Sequence, residues 1–223
     1  MSTPALATAA EGATRIILVH GTGHGGWCWY RVATLLRAAG HRVDAPDLAA
    51  SGIDSRQLRD VPTFEDYTRP LLDALRALPP GERAVLVGHS FGGMSIALAA
   101  ETFPEKVAAA VFVTAFLPDC TNPRSQVIEK DYTLSQSLAR VSSYYVPDLQ
   151  SQTPFSEARY GAVSKMYVVC KQDQAMTEAY QHTMIAACPV AEVREIADAD
   201  HMAMFSAPAE LAGHLAHVAN TYA

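Results

Sequence analysis

The sequence predicts an α/β fold in which a mostly parallel sheet is covered by helices on both faces. Apolar segments that favour strands alternate along the chain with segments of helical periodicity. The strand segments at 84–87 and 107–117, and the centre of the segment at 15–20, are apolar at nearly every position, which is typical of parallel strands buried on both faces. With 223 residues, 49% of them hydrophobic, the chain is long enough for one domain with a substantial core.

Each element is predicted from local patterns of apolar, capping and chain-breaking residues. Thr63 and Glu65-Asp66 form an N-terminal capping signal, Pro70 predicts a kink, and Gly40 ends the first helix. We expect residues 1–13 to be a disordered tail and 14–223 to be the domain. The predicted strands are 15–20, 41–48, 84–87, 107–117, 165–173 and 190–196. The predicted helices are 27–39, 63–78, 94–100, 133–142, 175–187 and 208–220.

A Gly-x-Ser-x-Gly motif follows the strand at 84–87. It places Ser90 between Gly88 and Gly92, directly before a helix of small residues. This spacing is typical of a nucleophile elbow, a sharp strand-to-helix turn that raises a serine hydroxyl above the edge of the sheet. The glycines remove side chains that would collide in the turn. Ser90 is therefore predicted to be a catalytic nucleophile.

The strand at 15–20 ends in a glycine-rich loop, residues 21–26. The glycine spacing does not fit a dinucleotide-binding fingerprint, and no suitable acid follows in a second strand–helix–strand unit. We interpret the segment as an oxyanion loop, in which a backbone amide stabilises a developing alkoxide. A second amide would come from Phe91, the residue after the nucleophile.

Two later strand ends carry the partners that a serine nucleophile needs. Asp173 ends the strand at 165–173, and His201 follows the last strand. The order serine, acid, histidine is that of one known class of triad, in which histidine takes the serine proton and the acid orients the imidazole. Asp119 also ends a strand and is an alternative orienting acid, whereas Asp200 is expected to be a turn residue.

Composition and charge exclude several other classes of function. The net charge of −6 argues against nucleic-acid binding, and no segment resembles a membrane span. The histidines at positions 20, 24 and 89 do not have zinc-ligand spacing, so no metal and no cofactor are expected. The four cysteines (Cys28, Cys120, Cys170 and Cys188) suggest buried thiols in a reducing compartment, although their even number leaves a disulfide open. The start of the chain lacks the basic residues of a secretory signal, so a cytoplasmic location is expected.

Taken together, these motifs resemble the plant methylesterase and hydroxynitrile lyase family of α/β-hydrolases. The resemblance implies an α/β-hydrolase fold, a triad of Ser90, Asp173 and His201, and oxyanion amides at Thr22 and Phe91. It also implies a cytosolic homodimer that needs no cofactor and hydrolyses methyl esters of small acids such as salicylate, jasmonate and indole-acetate. The matching stretches are 20–27, 47–52, 88–93, 117–119 and 200–202.

Two positions favour the esterase branch of that family over the lyase branch. The resemblance implies threonine and lysine in a lyase where Gly21 and Met202 stand here. Glycine has no hydroxyl to bind a cyanohydrin, and a thioether carries no charge to stabilise cyanide. Met202, with Gly21, Phe91 and Phe116, is instead expected to line a small apolar pocket for the acid portion of an ester.

Residues 121–160 interrupt the alternation of strands and helices and are expected to form a cap over the site. A long surface connection is the alternative. Compared with the family, this cap is shortened near Lys130 and Asp131. A shortened cap leaves a second class of function open, a non-catalytic ligand receptor that keeps a hydrolase pocket, because one fold can serve many functions.

Overall fold

A computed structural model describes residues 13–129 and 143–223 of the chain. Its six strands form one parallel sheet in the order β2-β1-β3-β4-β5-β6, with β3 and β4 at the centre. The α/β class and the parallel sheet are therefore confirmed. The strands are β1 (Arg15–Val19), β2 (Arg42–Asp44), β3 (Ala84–Ser90), β4 (Val107–Ala115), β5 (Lys165–Cys170) and β6 (Glu192–Ile196).

Helices cover both faces of the sheet. In the described residues the α-helices are α1 (Tyr30–Ala38), α2 (Phe64–Arg76), α3 (Gly92–Thr102), α4 (Gln126–Glu129), α5 (Val146–Ser151), α6 (Glu178–Ala187), α7 (Ala203–Ser206) and α8 (Pro208–Tyr222). None of these helices is long and apolar enough to cross a membrane. Successive residues of a strand point to opposite faces. Val85 and Val87 of β3 therefore face one core layer with α1 and α8, whereas Leu86 faces the other layer with α2 and α3.

Local sequence signals account for several of these boundaries. The Thr63 hydroxyl accepts a hydrogen bond from the Asp66 amide at 3.1 Å and caps α2, as predicted, and Pro70 lies inside that helix. β2 ends at Asp44 rather than at the predicted residue 48, since Pro46 cannot donate to a sheet ladder. Helix α6 begins at Glu178, three residues later than predicted, because the amides of residues 175 and 176 bond to Asp173 instead.

Part of the predicted cap lies against the α2 and α3 side of the domain. The Asp148 carboxylate of α5 accepts a hydrogen bond from the Phe64 amide at 2.8 Å, at the start of α2. Glu101, at the end of α3, accepts hydrogen bonds from the amides of Ser156 and Tyr160 at 3.1 and 3.2 Å. The predicted helix at 133–142 and most of the predicted tail lie outside the described residues.

Candidate active site

Ser90 occupies the strained turn that the motif predicts. Its φ is +53°, an uncommon value for a residue with a side chain. A Cβ on Gly88 would lie 2.6 Å from the Gly92 carbonyl oxygen, and one on Gly92 would lie 2.7 Å from the His20 carbonyl oxygen. The close approach of β1, β3 and α3 therefore requires glycine at both positions.

The glycine-rich loop is tied to a second loop by one carboxylate. Asp47 Oδ1 accepts a hydrogen bond from the Gly26 amide at 2.7 Å, and its Oδ2 accepts one from the Ile53 amide at 3.0 Å. A Cβ on Gly52 would lie 2.1 Å from Asp47 Oδ1, so glycine is required there to admit this carboxylate. Asp47 thus holds the loop that carries Thr22.

His20 also stabilises the connection between these two loops. The Leu48 amide donates to His20 Nε2 at 3.0 Å, so the proton resides on Nδ1, which donates to the Gly21 carbonyl oxygen at 2.8 Å. Burial lowers the pKa of His20 and favours this neutral form. Both ring nitrogens are therefore engaged with the backbone, and the role of His20 is structural.

His201 and Asp173 form a direct hydrogen bond. His201 Nδ1 lies 2.7 Å from Asp173 Oδ2, and the Asp173 side chain is completely buried. Burial raises the pKa of Asp173, but hydrogen bonds from His201, Thr114 and the Met176 amide outweigh burial and lower it. The acid is thus held as a carboxylate in the turn after β5, which ends at Cys170 rather than at the predicted residue 173.

The alternative acid has a different role. Asp119 accepts hydrogen bonds from the amides and side chains of Thr121 and Asn122, at 2.7 to 2.9 Å, and so closes a turn. Asp200 is a turn residue, as expected, because its carboxylate accepts hydrogen bonds from the Met202 amide and the Ser206 hydroxyl. Of the two candidate acids, Asp173 is the one bonded to His201.

Two residues at the site were not predicted to act there. His89 Nε2 donates to the His201 carbonyl oxygen at 2.7 Å, and the Thr114 hydroxyl donates to Asp173 Oδ2 at 2.5 Å. The sequence places His89 next to Ser90, which is a weak signal of a role at the site. Thr114 lies within an apolar strand segment and gives no such signal. Burial and the neighbouring His201 lower the pKa of His89 well below its ordinary value, so His89 is neutral.

The residues predicted to line a substrate pocket fall into two groups. Phe91 and Phe116 are buried in an aromatic cluster on the α2 and α3 side of the sheet. Met202 follows His201 and packs against the opposite core layer, and Gly21 lies beside Ser90. The aromatic cluster consists of Phe64, Tyr67, Phe91, Phe116, Tyr144 and Tyr145.

Comparison with known proteins agrees with this fold. The alpha/beta hydrolase family matches residues 16–214. The chain belongs to this family.

This α/β-hydrolase is 41% identical to methylesterase 7 of Arabidopsis thaliana, in an alignment that covers 94% of this chain and 97% of the relative. It is 40% identical to the probable esterase PIR7A of Oryza sativa subsp. japonica, over 95% and 99% of the two chains. Its fold matches the crystal structure of polyneuridine aldehyde esterase with a TM-score of 0.87 at 34% identity, over 92% of this chain and 99% of that one. The predicted resemblance to plant methylesterases is therefore confirmed.

The relatives contain residues that this α/β-hydrolase lacks. The alignment with methylesterase 7 has 253 positions and includes 94% of the 223 residues, or about 210. About 43 positions, the difference between 253 and 210, therefore have no counterpart in this chain. That these residues belong to the cap stays a prediction.

Proposed function

We propose that this carboxylic ester hydrolase uses Ser90 as nucleophile, His201 as general base and Asp173 as orienting acid. The observation that carries the proposal is the hydrogen bond between His201 Nδ1 and Asp173 Oδ2. Because this bond occupies Nδ1, Nε2 is the nitrogen left to accept the Ser90 proton. Names of relatives such as methylesterase support the same class of reaction.

The reaction would proceed through an acyl-enzyme. Ser90 Oγ attacks the ester carbonyl as its proton moves to His201 Nε2, and the backbone amides of Thr22 and Phe91 stabilise the oxyanion. His201 then protonates the departing alcohol, and water, activated by the same histidine, hydrolyses the acyl group. Asp173 stabilises the imidazolium in both steps. No cofactor takes part in this sequence.

The backbone at Gly21 supports hydrolysis over cyanohydrin cleavage. A Cβ there would lie 2.8 Å from Ser90 Cβ, closer than side-chain atoms ordinarily approach. The threonine that the lyase branch carries would therefore displace the nucleophile in this backbone. Met202 lacks the positive charge that would stabilise cyanide.

The proposed substrates are methyl esters of small carboxylic acids of the plant-hormone type, such as salicylate, jasmonate and indole-acetate. The aromatic cluster supports an apolar acid portion, since Phe91 joins it directly after the nucleophile. A cytoplasmic location belongs to the same proposal and is supported by the four cysteines, all of which are free.

The deciding experiment compares wild type, Ser90→Ala and Ser95→Ala. Ser95 is a matched control because it is buried in α3 and bonded to Thr68 rather than to the site. Each protein is assayed with p-nitrophenyl acetate, the three methyl esters and mandelonitrile. We expect wild type and Ser95→Ala to hydrolyse an ester and Ser90→Ala to be inactive. Undiminished hydrolysis by Ser90→Ala would refute the assignment.

A serine-directed fluorophosphonate adds a test that needs no knowledge of the substrate. Mass spectrometry should locate the covalent adduct on Ser90 in wild type. Asp173→Asn should react with the probe about 10⁴-fold more slowly, because an asparagine favours the imidazole tautomer that cannot accept the serine proton. Tight calorimetric binding of an intact ester, with neither turnover nor labelling, would instead identify a receptor. Release of cyanide from mandelonitrile would identify a lyase.

A further inference from the structure

Thr114 is the extra residue of a β-bulge between β3 and β4. His89 pairs with Val113 and the next residue, Ser90, pairs with Ala115, so Thr114 has no partner in that register. Its φ of +34° is outside the ordinary range for a β-branched residue, and its side chain is fully buried. Bulges beside active sites re-aim side chains, and this one lies directly next to the nucleophile.

A buried tyrosine stabilises the backbone after the bulge. The Tyr167 hydroxyl donates to the Ala115 carbonyl oxygen at 2.9 Å and accepts from the Ala115 amide at 3.0 Å. The next amide, that of Phe116, donates to the Ser90 carbonyl oxygen at 3.1 Å. The strand segment that contains Thr114 is therefore fixed to β5 on one side and to the nucleophile on the other.

The bulge directs the Thr114 hydroxyl to the acid. It donates to Asp173 Oδ2, the oxygen that also accepts from His201 Nδ1. Asp173 Oδ1 is occupied by the amides of Ala175 and Met176, at 2.7 and 2.8 Å. Thr114 thus shares an acceptor with the catalytic histidine and restricts rotation of the carboxylate.

We propose that Thr114 is a positioning residue for the Asp173–His201 pair, and that the bulge in β4 serves to aim its hydroxyl. This inference rests on the proposed function, in which that pair activates Ser90. The inferred contact connects β3, which carries Ser90, through the bulge in β4 to Asp173. A structural threonine would stabilise the fold without altering the proton shared by Asp173 and His201.

Several titratable groups face the pair and remain unchanged in the variants below. His89 of β3 lies against His201, with ring centroids 4.8 Å apart. Cys170 and Tyr167 of β5 lie near Asp173, and Asp200 precedes His201 in the chain. Because these groups are common to all the proteins compared, a change in the pH profile can be attributed to the altered threonine.

The test compares Thr114→Val, which keeps the shape and branching, with Thr114→Ser, which keeps the hydroxyl. Thr68→Val is the matched control, since Thr68 is also fully buried and its hydroxyl bonds to Ser95 at 3.2 Å. The measurements are kcat and KM of ester hydrolysis from pH 5 to pH 9, roughly the range in which histidine titrates, and the downfield proton resonance of His201 Nδ1.

We expect Thr114→Val to lower kcat about tenfold and to leave KM within about twofold. The acid limb of kcat/KM should move up by roughly half a pH unit, because Asp173 Oδ2 becomes a stronger acceptor for the shared proton. The Nδ1 resonance should shift. Thr114→Ser should behave like wild type, and Thr68→Val should keep the wild-type pH profile and resonance.

A wild-type pH profile and an unshifted resonance in folded Thr114→Val would overturn the proposal. If that variant does not fold, Thr114→Ala replaces it, and a wild-type profile in the alanine variant would have the same meaning. The resonance does not depend on turnover. If wild type hydrolyses no ester, the proposed function fails. A shifted Nδ1 resonance in Thr114→Val, together with an unshifted one in Thr114→Ser, would still support the positioning role of Thr114.

Discussion

His89 Nε2 donates a hydrogen bond to the main-chain carbonyl of His201 across 2.7 Å, although 112 residues separate them. The bond joins β3 to the loop that carries His201, the proposed general base, because His89 directly precedes Ser90 in the chain. The orientation of His201 is thus controlled at its side chain by Asp173 and at its backbone by His89.

Replacement of His89 by phenylalanine should therefore impair turnover more than substrate binding. We expect kcat to fall about tenfold with little change in KM, and the free energy of unfolding to fall by about 1–3 kcal/mol, because a buried carbonyl loses its donor. Steady-state kinetics and urea unfolding provide the measurements. His41→Phe is the control, since His41 is also buried but lies before β2. Wild-type kcat in His89→Phe would show that the bond does not position His201.

Gly21 should tolerate no side chain. In Gly21→Ala the new Cβ would meet Ser90 Cβ at 2.8 Å and the ring of His89 at 3.2 Å, so the elbow must shift. We expect ester hydrolysis to fall about a hundredfold, the effect of misplacing a reacting group by roughly 1 Å. Gly213→Ala is the control, because nothing lies within 4 Å of its Cβ position in α8, and it should raise stability by about 0.5–1 kcal/mol. Full activity in Gly21→Ala would contradict the geometry.

Asp47 should matter to catalysis through the loop that it holds. Asp47→Ala removes the acceptor for the Gly26 and Ile53 amides and releases the loop that holds Thr22. We expect kcat to fall by up to about a hundredfold and unfolding free energy to fall by about 2 kcal/mol or more. Asp47→Asn keeps one acceptor oxygen, so its kcat and its free energy of unfolding should fall less than those of Asp47→Ala. Equal losses in the two variants would indicate that the charge, rather than the tether, is what matters.

Stability should decrease at acid pH partly through Glu82. Its carboxylate accepts from Arg15 Nε and pairs with Arg42, each at 2.8 Å, and the hydrogen bond from Arg15 lowers its pKa. Because the pKa of Glu82 is lower in the folded state, its ionised carboxylate stabilises the fold at pH values above about 4.3, the pKa of glutamate in the unfolded chain. This stabilisation is lost as the pH falls through the lower pKa of the folded state.

Urea unfolding at pH 7 and at low pH measures this contribution. Glu82→Gln should show a smaller stability difference between the two conditions than wild type. Glu105→Gln, at an exposed position, should show the wild-type difference. The assignment would be wrong if the two variants behaved alike.

The order of the six strands, the sharp turn at Ser90, the glycine-rich loop and the candidate acids and base could all be predicted from local sequence patterns. These features depend on local patterns, such as strand hydrophobicity, capping residues and glycine spacing, which act over a few neighbouring residues. The end of β2 and the start of α6 were predicted less accurately. Pro46 has no amide proton for the sheet, and the Asp173 carboxylate binds amides that would otherwise begin the helix.

Which acid bonds to His201, and which contacts hold the pair in place, became clear only from the three-dimensional fold. Asp119 and Asp173 each follow a strand by three or four residues, and they differ in what the fold brings against them. The Thr114 bulge, the Asp47 tether and the bond from His89 to His201 join residues from 21 to 112 positions apart. Such contacts form only when the sheet assembles and buries these polar groups against one another, and no local pattern in the chain encodes them.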